Sequence, residues 1–323
     1  MGGAPRRRFL LDDLANRLAA GLAQAMPIFS DIWRVGVIER PIQAIASAGG
    51  LHEAPVRWLP EEPDFTFLAD PFGVWRDGRL HLFAEAYDYR TRHGVIDHLE
   101  LDADFRPVSR QTVLREPWHL SYPMITEAEG ETWMTPEAFR SGTFTLYRAR
   151  RFPDVWEPVT KIAFDTPAID PTLFRWEDRW WMAYSPTGSQ RDKQGKLHLA
   201  YADRIEGPWR THPGNPVRID LASSRPGGTP FVHDGRLHLP VQDCTRTYGG
   251  DLRLLAVNIL TPDRFEAETS PILKPPVNAG RYHRGRHTLA ACGPVTLIDA
   301  KWLKGSPKGL AVALASLTRG RKT

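Results

Sequence analysis

The sequence predicts an all-β fold, a five-bladed β-propeller preceded by a short N-terminal helix. Two observations predict it: a repeat that recurs about every 50 residues, and a composition of 11 Trp, 14 Phe, 28 Pro and 26 Gly among 323 residues. Short aromatic strands joined by many turns are typical of all-β proteins. A repeat of about 50 residues matches a propeller blade of four antiparallel strands.

Four repeats share one internal spacing. Each opens with a short motif that ends in Pro or Gly, and a polar residue follows 14 residues after that Pro or Gly. Four equal spacings argue against chance periodicity in a β-sandwich, and they assign roughly residues 66–268 to four blades. The paired positions are Pro71 and Glu85, Pro123 and Glu137, Pro171 and Ser185, and Gly228 and Gln242.

The two flanks of the repeat region supply the remaining elements. Strand-like runs at residues 33–38 and 295–298 predict a fifth blade built from both chain ends, which closes the ring. Residues 9–26 alternate Leu and Ala with polar residues at helical spacing, which predicts a short amphipathic helix outside the propeller. The expected organisation is a basic tail and helix over residues 1–30, the propeller over 31–303 and a basic tail over 304–323.

Charge and cysteine content narrow the classes of partner. The net charge is +4, and much of the excess lies in the two basic ends, so no nucleic-acid partner is expected. Cys244 and Cys292 lack metal-type spacing and are expected to be free thiols in a reducing compartment, with no metal and no cofactor. Asp12 and Asp13 interrupt the N-terminal apolar stretch, and no run is long enough to cross a membrane. We expect a cytoplasmic protein that associates at most loosely with the inner face of the membrane.

The repeat brings carboxyl groups together. In a propeller the innermost strands line a central channel, so motifs about 50 residues apart in sequence meet in one funnel. Two carboxyl groups in one funnel can act on a glycosidic bond, because one donates a proton to the leaving oxygen while the other activates water or stabilises the positively charged ring. The candidate catalytic residues are Asp70, Asp170, Glu137 and Asp243, and the candidate substrate-binding residues are Glu85, Tyr122, Arg225 and His287.

Other kinds of chemistry lack their motifs. The sequence contains no nucleophile elbow, Walker loop or dinucleotide-binding glycine motif. This argues against lipase-like, kinase-like and nicotinamide chemistry, because each depends on a glycine-shaped turn that holds its nucleophile or its phosphates. The funnel of carboxyl groups is therefore the functional feature that the sequence indicates.

Several candidates also have a structural interpretation. An Asp before Pro often shapes a strand entry by binding nearby backbone amides. Glu85 and Glu137 end apolar strands, where an unpaired carboxylate is costly to bury, so they are expected to be functional or paired in a salt bridge. Arg225 is either a clamp for an anionic group or the structural partner of a neighbouring Asp.

The basic run at residues 281–288 has two interpretations as well. Its Arg and His residues are suited to binding a phosphate or carboxylate group, or they form a solvated loop. The residues that follow His287 predict that this side chain is partly buried. His81 and His238 occupy equivalent strand positions in two blades and are expected to be packing residues rather than metal ligands.

Asp70-Pro71, with its Gly turn and aromatic strand, and the segment at residues 169–174 resemble the motifs of glycoside hydrolase family 43 and its five-bladed relatives. This resemblance implies that Asp70 is the general base and that Asp170 tunes the acid. Where that family has its proton-donating Glu, the chain has Arg225 within a Ser-Arg-Pro-Gly-Gly segment. A hydrolase mechanism would then need Glu137 or Asp243 as the proton donor.

Residues 31–290 resemble the N-terminal propeller domain of the plant glucosamine inositolphosphorylceramide transferases, which in bacteria occurs alone or beside formyltransferase-like domains. This resemblance implies a sugar, oligosaccharide or glycolipid as ligand and a glycosyltransferase or formyltransferase-like protein as partner. In the plant proteins a separate C-terminal domain resembles the glycosyltransferase proper. Three functions therefore stay open: an enzyme that acts on a glycosidic bond, a non-catalytic glycan-binding propeller that positions a partner transferase, or a scaffold with no sugar site. The matching phrases lie at residues 33–37, 69–72, 82–85 and 285–289.

Overall fold

The computed structural model describes residues 29–164 and 166–305. The helix predicted over residues 9–26 lies outside these residues. The described chain begins with strand β1 (Phe29–Ile38), a short helix α1 (Ile42–Ala48) and strand β2 (Val56–Trp58). Helix α1 ends at Gly49, whose positive φ of 66° suits a left-handed C-cap.

Blades one and two follow the predicted repeat. Each is a four-stranded antiparallel sheet whose strands pair in chain order. Blade one comprises β3 (Thr66–Arg76), β4 (Arg79–Asp88), β5 (His93–Leu101) and β6 (Pro107–Leu114). Blade two comprises β7 (Ser121–Ala128), β8 (Glu131–Glu137), β9 (Phe144–Arg151) and β10 (Val155–Ile162), with a single 3₁₀ turn at Phe139–Ser141.

Blades three and four vary the same plan at their edges. Blade three comprises β11 (Ala168–Trp176), β12 (Arg179–Pro186), helix α2 (Gln190–Gly195), β13 (Lys196–Ala202), β14 (Arg210–Thr211) and β15 (Arg218–Ile219). Its two short outer strands both pair with β13. Blade four comprises β16 (Arg225–Pro226), β17 (Phe231–His233), β18 (Arg236–Asp243), β19 (Asp251–Thr261) and β20 (Arg264–Thr269). Its innermost strand is split in two, and both pieces pair with β18.

Blade five joins the two ends of the described chain. Strands β21 (Leu289–Cys292) and β22 (Val295–Gly305) form its inner half, and the sheet order is β21-β22-β1-β2. Strand β1 pairs with β22 along its whole length. The prediction of an all-β, five-bladed propeller closed by both flanks is confirmed. Both α-helices of the described residues are far too short to span a bilayer.

The motif that opens blades one to three is a β-bulge. In each bulge the residue before Pro has a positive φ: 50° at Asp70, 46° at Tyr122 and 49° at Asp170. Positive φ is uncommon outside Gly and costs of the order of 1–3 kcal/mol, and such strain concentrates at functional sites. A bulge bends the strand and changes the direction of a side chain, so the X-Pro motif determines where the side chain before Pro points. The ladder is interrupted between Ala69 and Phe72, Ser121 and Met124, and Ile169 and Thr172.

The 14-residue spacing follows from strand register. The chain runs from the bulge along the inner strand, turns within two residues and returns along the second strand. Asp77 and Gly78 both have positive φ, 53° and 73°, which is the geometry of a two-residue hairpin turn. Consequently Glu85 lies opposite Ala69 and Glu137 lies opposite Ser121, each beside a bulge.

Gly228 holds blade four against blade five. It forms a parallel bridge with Leu289, and the Leu289 N–H donates to the Gly227 carbonyl at 2.8 Å. A Cβ at position 228 would lie 1.9 Å from the Leu289 carbonyl oxygen, and φ there is 140°. Only Gly allows this backbone approach. The Gly-Gly pair of the fourth repeat thus allows blade four to pack directly against blade five, which helps to close the ring.

The core lies between the sheets. Its largest apolar cluster takes side chains from blades one, two, three and five, so the blades are stabilised by one another. Cys244 and Cys292 are both buried and are not joined in a disulfide, as the sequence predicted.

Candidate active site

A cavity of about 260 Å³ lies where the channel opens, and it is lined by residues of blades one, two, four and five. Five of the eight predicted site residues line it: Asp70, Glu85, Glu137, Arg225 and His287. Aromatic rings form much of the remaining wall, namely Trp33, Phe67, Tyr87, Tyr89 and Tyr248. Charged groups that are almost fully enclosed thus face a wall able to stack on a sugar ring.

Asp70 is 6% exposed, and its carboxylate is held from two sides. Oδ1 accepts a hydrogen bond from the Thr288 hydroxyl at 3.0 Å, and Oδ2 accepts one from the Tyr122 N–H at 3.2 Å. Burial raises the pKa of Asp70 to about 6, although the nearby imidazole of His287 opposes that rise. Asp70 is therefore mostly ionised at neutral pH but close to its protonated state.

His287 is held between two carboxylates. Its Nδ1 lies 2.6 Å from Asp299 Oδ2, and its Nε2 lies 3.6 Å from Asp70 Oδ1. The Trp33 indole stacks on the imidazole with ring centroids 3.7 Å apart. Burial by itself would lower the pKa of His287, but the carboxylates of Asp299 and Asp70 outweigh it and the net pKa is raised. The charged imidazolium is favoured beside Asp70.

Asp299 is the central residue that the sequence reasoning missed. It is fully buried in β22, and its oxygens accept from the N–H groups of Asp70, His287 and Thr288 at 3.0–3.1 Å. Burial opposes its ionisation, but His287 and these amides hold the pKa of Asp299 below its usual value. The sequence does contain a signal for Asp299: it is a single carboxylate within an apolar run of a strand, where burial of an unpaired charge would be costly.

Asp70, His287 and Asp299 also have the donor types of a metal site, with ligand atoms within 4.8 Å of one another. The atoms already have protein partners, because His287 pairs with both carboxylates and Asp70 accepts from Thr288 and Tyr122. The three side chains are paired with one another and with hydrogen-bond donors, so we assign no metal ion to this cluster.

Glu85 contacts a neutral histidine. The Gly94 N–H donates to His119 Nδ1 at 2.9 Å, so the ring proton lies on Nε2, which is 3.4 Å from Glu85 Oε1. Burial, together with Arg140 and His93, lowers the pKa of His119 to about 4. Burial first, and then the charges of Asp70 and Glu137, raise the pKa of Glu85 well above its ordinary value. Glu85 thus holds its proton more strongly than an exposed glutamate.

This shift predicts a pH-dependent effect of Glu85→Gln on stability. The folded pKa is raised, so the folded protein retains a proton that the unfolded chain has released above its ordinary pKa of 4.5. The free energy of unfolding of the wild type therefore falls by about 1.4 kcal/mol per pH unit between the ordinary pKa and the folded pKa of Glu85. The Gln variant has no proton to release at this position, so its stability does not fall for this reason. The difference in free energy of unfolding, Glu85→Gln minus wild type, should therefore increase as the pH is raised from 5 to 8. Urea unfolding at each pH measures this difference.

The matched control is Glu129→Gln, a change at an exposed turn residue of blade two. Its difference from wild type should not vary with pH. Parallel pH curves for wild type and Glu85→Gln would contradict the raised pKa.

Glu137, Asp170 and Arg225 form one network across blades two, three and four. Arg225 donates to the Asp170 carboxylate from Nε at 2.7 Å and from Nη2 at 3.2 Å, and the Gln242 amide donates to the same group at 2.9 Å. The Asp170 N–H donates to Glu137 Oε2 at 3.1 Å, and Arg225 Nη2 lies 4.0 Å from that oxygen. Arg225 is therefore the structural partner of Asp170 and still reaches the cavity.

The pKa of Glu137 is raised well above its ordinary value, chiefly by burial and then by the charge of Asp170. Arg225 opposes this rise but does not cancel it. Asp170 itself is enclosed behind Arg225 and does not line the cavity. It is connected to the cavity through its hydrogen bonds with Glu137 and Arg225.

Besides Asp170, two more predicted site residues lie outside the cavity lining. Tyr122 is buried in the channel, where its hydroxyl accepts from the Gly228 N–H at 2.8 Å. Asp243 accepts from Arg253 Nε at 2.8 Å and from the Thr245 N–H at 3.0 Å. Successive strand residues point to opposite sides, so Gln242 reaches Asp170 while Asp243 does not.

Lys301 supports the aromatic wall and was also missed from the sequence. This lysine is 2% exposed, and its Nζ donates to the Tyr248 carbonyl at 2.6 Å. The same ammonium lies 5.3 Å from the Trp33 ring. The Tyr248 ring lies 4.7 Å from the Arg225 guanidinium and edge-on to Trp33. The cations thereby fix the rings that border the carboxyl groups.

Solved structures share the fold. The catalytic domain of the GH62 α-L-arabinofuranosidase of Coprinopsis cinerea aligns with a TM-score of 0.53 and 11% identity, over 75% of this chain and 93% of that one. A family 117 glycoside hydrolase of the marine bacterium Zobellia galactanivorans aligns with a TM-score of 0.50 and 15% identity, over 65% of this chain and 71% of that one. At such identities the likeness concerns the fold alone.

Sequence relatives are more informative. Glucosamine inositolphosphorylceramide transferase 1 of Oryza sativa subsp. indica is 34% identical over 254 residues, which cover 72% of this chain and 33% of the relative. The Arabidopsis thaliana protein of the same name is 33% identical over 211 residues, 64% of this chain and 27% of the relative. The match thus spans 33% and 27% of the lengths of these two relatives.

The match is specific to one part of those relatives. The family model described as glucosamine inositolphosphorylceramide transferase 1, N-terminal, matches residues 61–289. These residues run from just before blade one to the start of β21, so they include Asp70, Glu85, Glu137, Asp170 and Arg225. The chain therefore belongs to the family of the N-terminal domain of glucosamine inositolphosphorylceramide transferase 1.

Proposed function

We propose that this protein acts on a glycosidic bond, by sugar transfer or hydrolysis, in surface-glycan or glycolipid metabolism. One observation carries the proposal: the buried carboxyl groups of Asp70, Glu85 and Glu137 face a single cavity that is walled by aromatic rings. Burying three carboxyl groups together is costly, which is the usual signature of a functional site. The names of the relatives, which refer to a sugar and a glycolipid, support the substrate class.

Asp70 is the proposed general base. Its carboxylate is mostly ionised at neutral pH, and the raised pKa of about 6 gives it the affinity for a proton that an exposed Asp lacks. It would take the proton of the attacking water or acceptor hydroxyl. His287, fixed by Asp299, would stabilise the charge on Asp70 and is proposed as a positioning residue.

Glu137 is the proposed proton donor. Its raised pKa keeps it protonated at higher pH than an ordinary Glu, as a general acid requires. A carboxyl oxygen of Glu137 lies 4.0 Å from Nη2 of Arg225. Arg225 is the residue that stands where the hydrolase motif has its donor Glu. Asp170 raises the pKa of Glu137 and thereby tunes the acid. Asp243 is not proposed as donor, because it does not line the cavity and its carboxylate is paired with Arg253 within blade four.

The donor role is tested by varying the leaving group. In Glu137→Gln, turnover of methyl glycosides should fall by roughly 10²- to 10⁴-fold, because an alkoxide needs a proton to leave. Turnover of the corresponding 4-nitrophenyl glycosides should fall far less, because nitrophenolate leaves without one. The measurement is kcat/KM for both series, using the sugar that wild type cleaves fastest.

Glu131→Gln is the control, since Glu131 is an exposed residue at the other end of β8. An equal loss on both leaving groups would contradict the donor role of Glu137. Glu85→Gln, tested in the same way, shows whether the neighbouring carboxyl group donates instead.

A second function is favoured by a different observation. Arg225, bound to Asp170, occupies the donor position of the hydrolase motif, so no carboxyl group stands there. A propeller with this substitution would serve as a non-catalytic glycan-binding domain that positions a partner glycosyltransferase or formyltransferase-like protein. Saturable glycan binding with no turnover of any substrate would establish this alternative.

A further inference from the structure

A second cavity, of about 530 Å³, lies in blade four and the segment that leads to blade five. It shares no lining residue with the channel cavity among the described residues. Its charged lining consists of Arg246, Lys274 and Arg286 against one carboxylate, that of Asp251. Three cations against one anion leave this cavity with an excess of positive charge that the proposed glycosidic chemistry does not use.

Arg286 is the feature that points to a ligand. Its side chain is 5% exposed, and Nη2 pairs with Asp251 Oδ1. Its Nε is buried and has no hydrogen-bond partner among the described residues. A buried guanidinium N–H without an acceptor is costly, so an acceptor supplied by a ligand would stabilise it.

Asp251 cannot satisfy the arginines alone. Its second oxygen, Oδ2, lies 3.5 Å from Arg246 Nη2, so one carboxylate is shared by two guanidinium groups. Burial, and then the charge of Arg246, lower the pKa of Arg286 to about 10, which reflects this incomplete compensation. Arginine forks of this kind match the oxygens of a phosphate group.

The wall of the cavity is fixed in advance. The Lys274 N–H donates to the Gly49 carbonyl and the Lys274 carbonyl accepts from the Leu51 N–H, at 3.1 and 2.8 Å. Two prolines follow, and the Asn278 side chain then bonds both the N–H and the carbonyl of Val56. A wall held at both ends loses little conformational entropy on binding, which favours affinity.

We propose that this cavity is a phosphate-binding site, with Arg286, Arg246 and Lys274 as its ligands. The phosphate belongs to a larger molecule, because exposed Ile272 and Val277 border the cavity with apolar surface. A lipid headgroup and a soluble sugar phosphate both present this chemistry. The site is independent of the channel cavity, so it stands whether or not the chain cleaves a glycosidic bond.

The first experiment is titration calorimetry of the full chain with inorganic phosphate and with myo-inositol 1-phosphate at constant ionic strength. Wild type should bind both, and acetate should not compete. Arg246→Ala/Lys274→Ala removes two exposed cations and should weaken binding roughly tenfold or more per cation. Arg286→Gln should weaken it as well, but the double variant decides the question if Arg286→Gln fails to fold.

The control is Arg264→Ala/Lys161→Ala, which removes the same charges from exposed positions of blades four and two. It should bind phosphate as wild type does. The proposal is overturned if wild type binds no phosphate, if both double variants bind alike, or if acetate competes equally.

A second experiment distinguishes the sources of the phosphate. Wild type and Arg246→Ala/Lys274→Ala are sedimented with vesicles of phosphatidylcholine, with and without phosphatidylinositol. If the protein sediments with the vesicles only when phosphatidylinositol is present and both cations are intact, the site binds a lipid headgroup. Phosphate binding in solution without such retention assigns it to a soluble phosphate ester.

Discussion

Asp70→Asn is expected to lower turnover at the glycosidic bond by roughly 10²- to 10⁴-fold while leaving the fold intact. An amide cannot take the proton of the attacking hydroxyl. The replacement nevertheless keeps the size of the side chain and one of the two oxygens that accept from Tyr122 and Thr288. Asn also tolerates the positive φ of 50° at this position better than most residues do.

The measurement is kcat/KM on the best substrate, together with the midpoint of urea unfolding. Asp77→Asn is the matched control, because Asp77 is in the same blade, has a φ of 53° and is exposed in a turn. It should keep wild-type turnover. Full activity of Asp70→Asn would refute the base assignment, and unchanged glycan binding without turnover in any variant would favour the binding function.

Arg225→Met should lower the free energy of unfolding by about 3–5 kcal/mol, the usual cost of breaking a buried ion pair. Arg225 and Asp170 are both almost fully enclosed, and Arg225 supplies two of the hydrogen bonds to this carboxylate. Without the guanidinium, Gln242 is the one side chain among the described residues that still donates a hydrogen bond to this carboxylate. The desolvated carboxylate would be left without its counter-charge.

Urea unfolding of wild type, Arg225→Met and the double variant Arg225→Met/Asp170→Asn tests this cause. The double variant should recover most of the loss, because it removes the buried charge as well. Arg179→Met, which breaks an exposed pair with Asp203, should cost about 1 kcal/mol or less. An unchanged midpoint for Arg225→Met, or no recovery in the double variant, would contradict the role of the ion pair.

Much of the candidate site followed from the repeat. A fixed spacing between a bulge and the return strand places Glu85 and Glu137 beside the channel, and strand register makes that placement independent of the rest of the protein. Asp243 shows the limit of this reasoning. One position along a strand reverses the direction of a side chain, so the polar pair at 242–243 contributes Gln242 to the network and not Asp243.

The sequence by itself determined the blade count, the inner hairpins and the candidate carboxyl groups of blades one and two, because these depend on local turns and a repeated register. Tertiary structure decided the rest. Asp299, Lys301 and Trp33 belong to blade five, which both ends of the described chain build and which has no internal repeat to align. Asp299 accepts a hydrogen bond from the Asp70 N–H although 229 positions separate the two residues, and this contact is a consequence of ring closure. Likewise, only the folded ring revealed that Arg225 neutralises Asp170, since partners 55 residues apart are set by the packing of neighbouring blades.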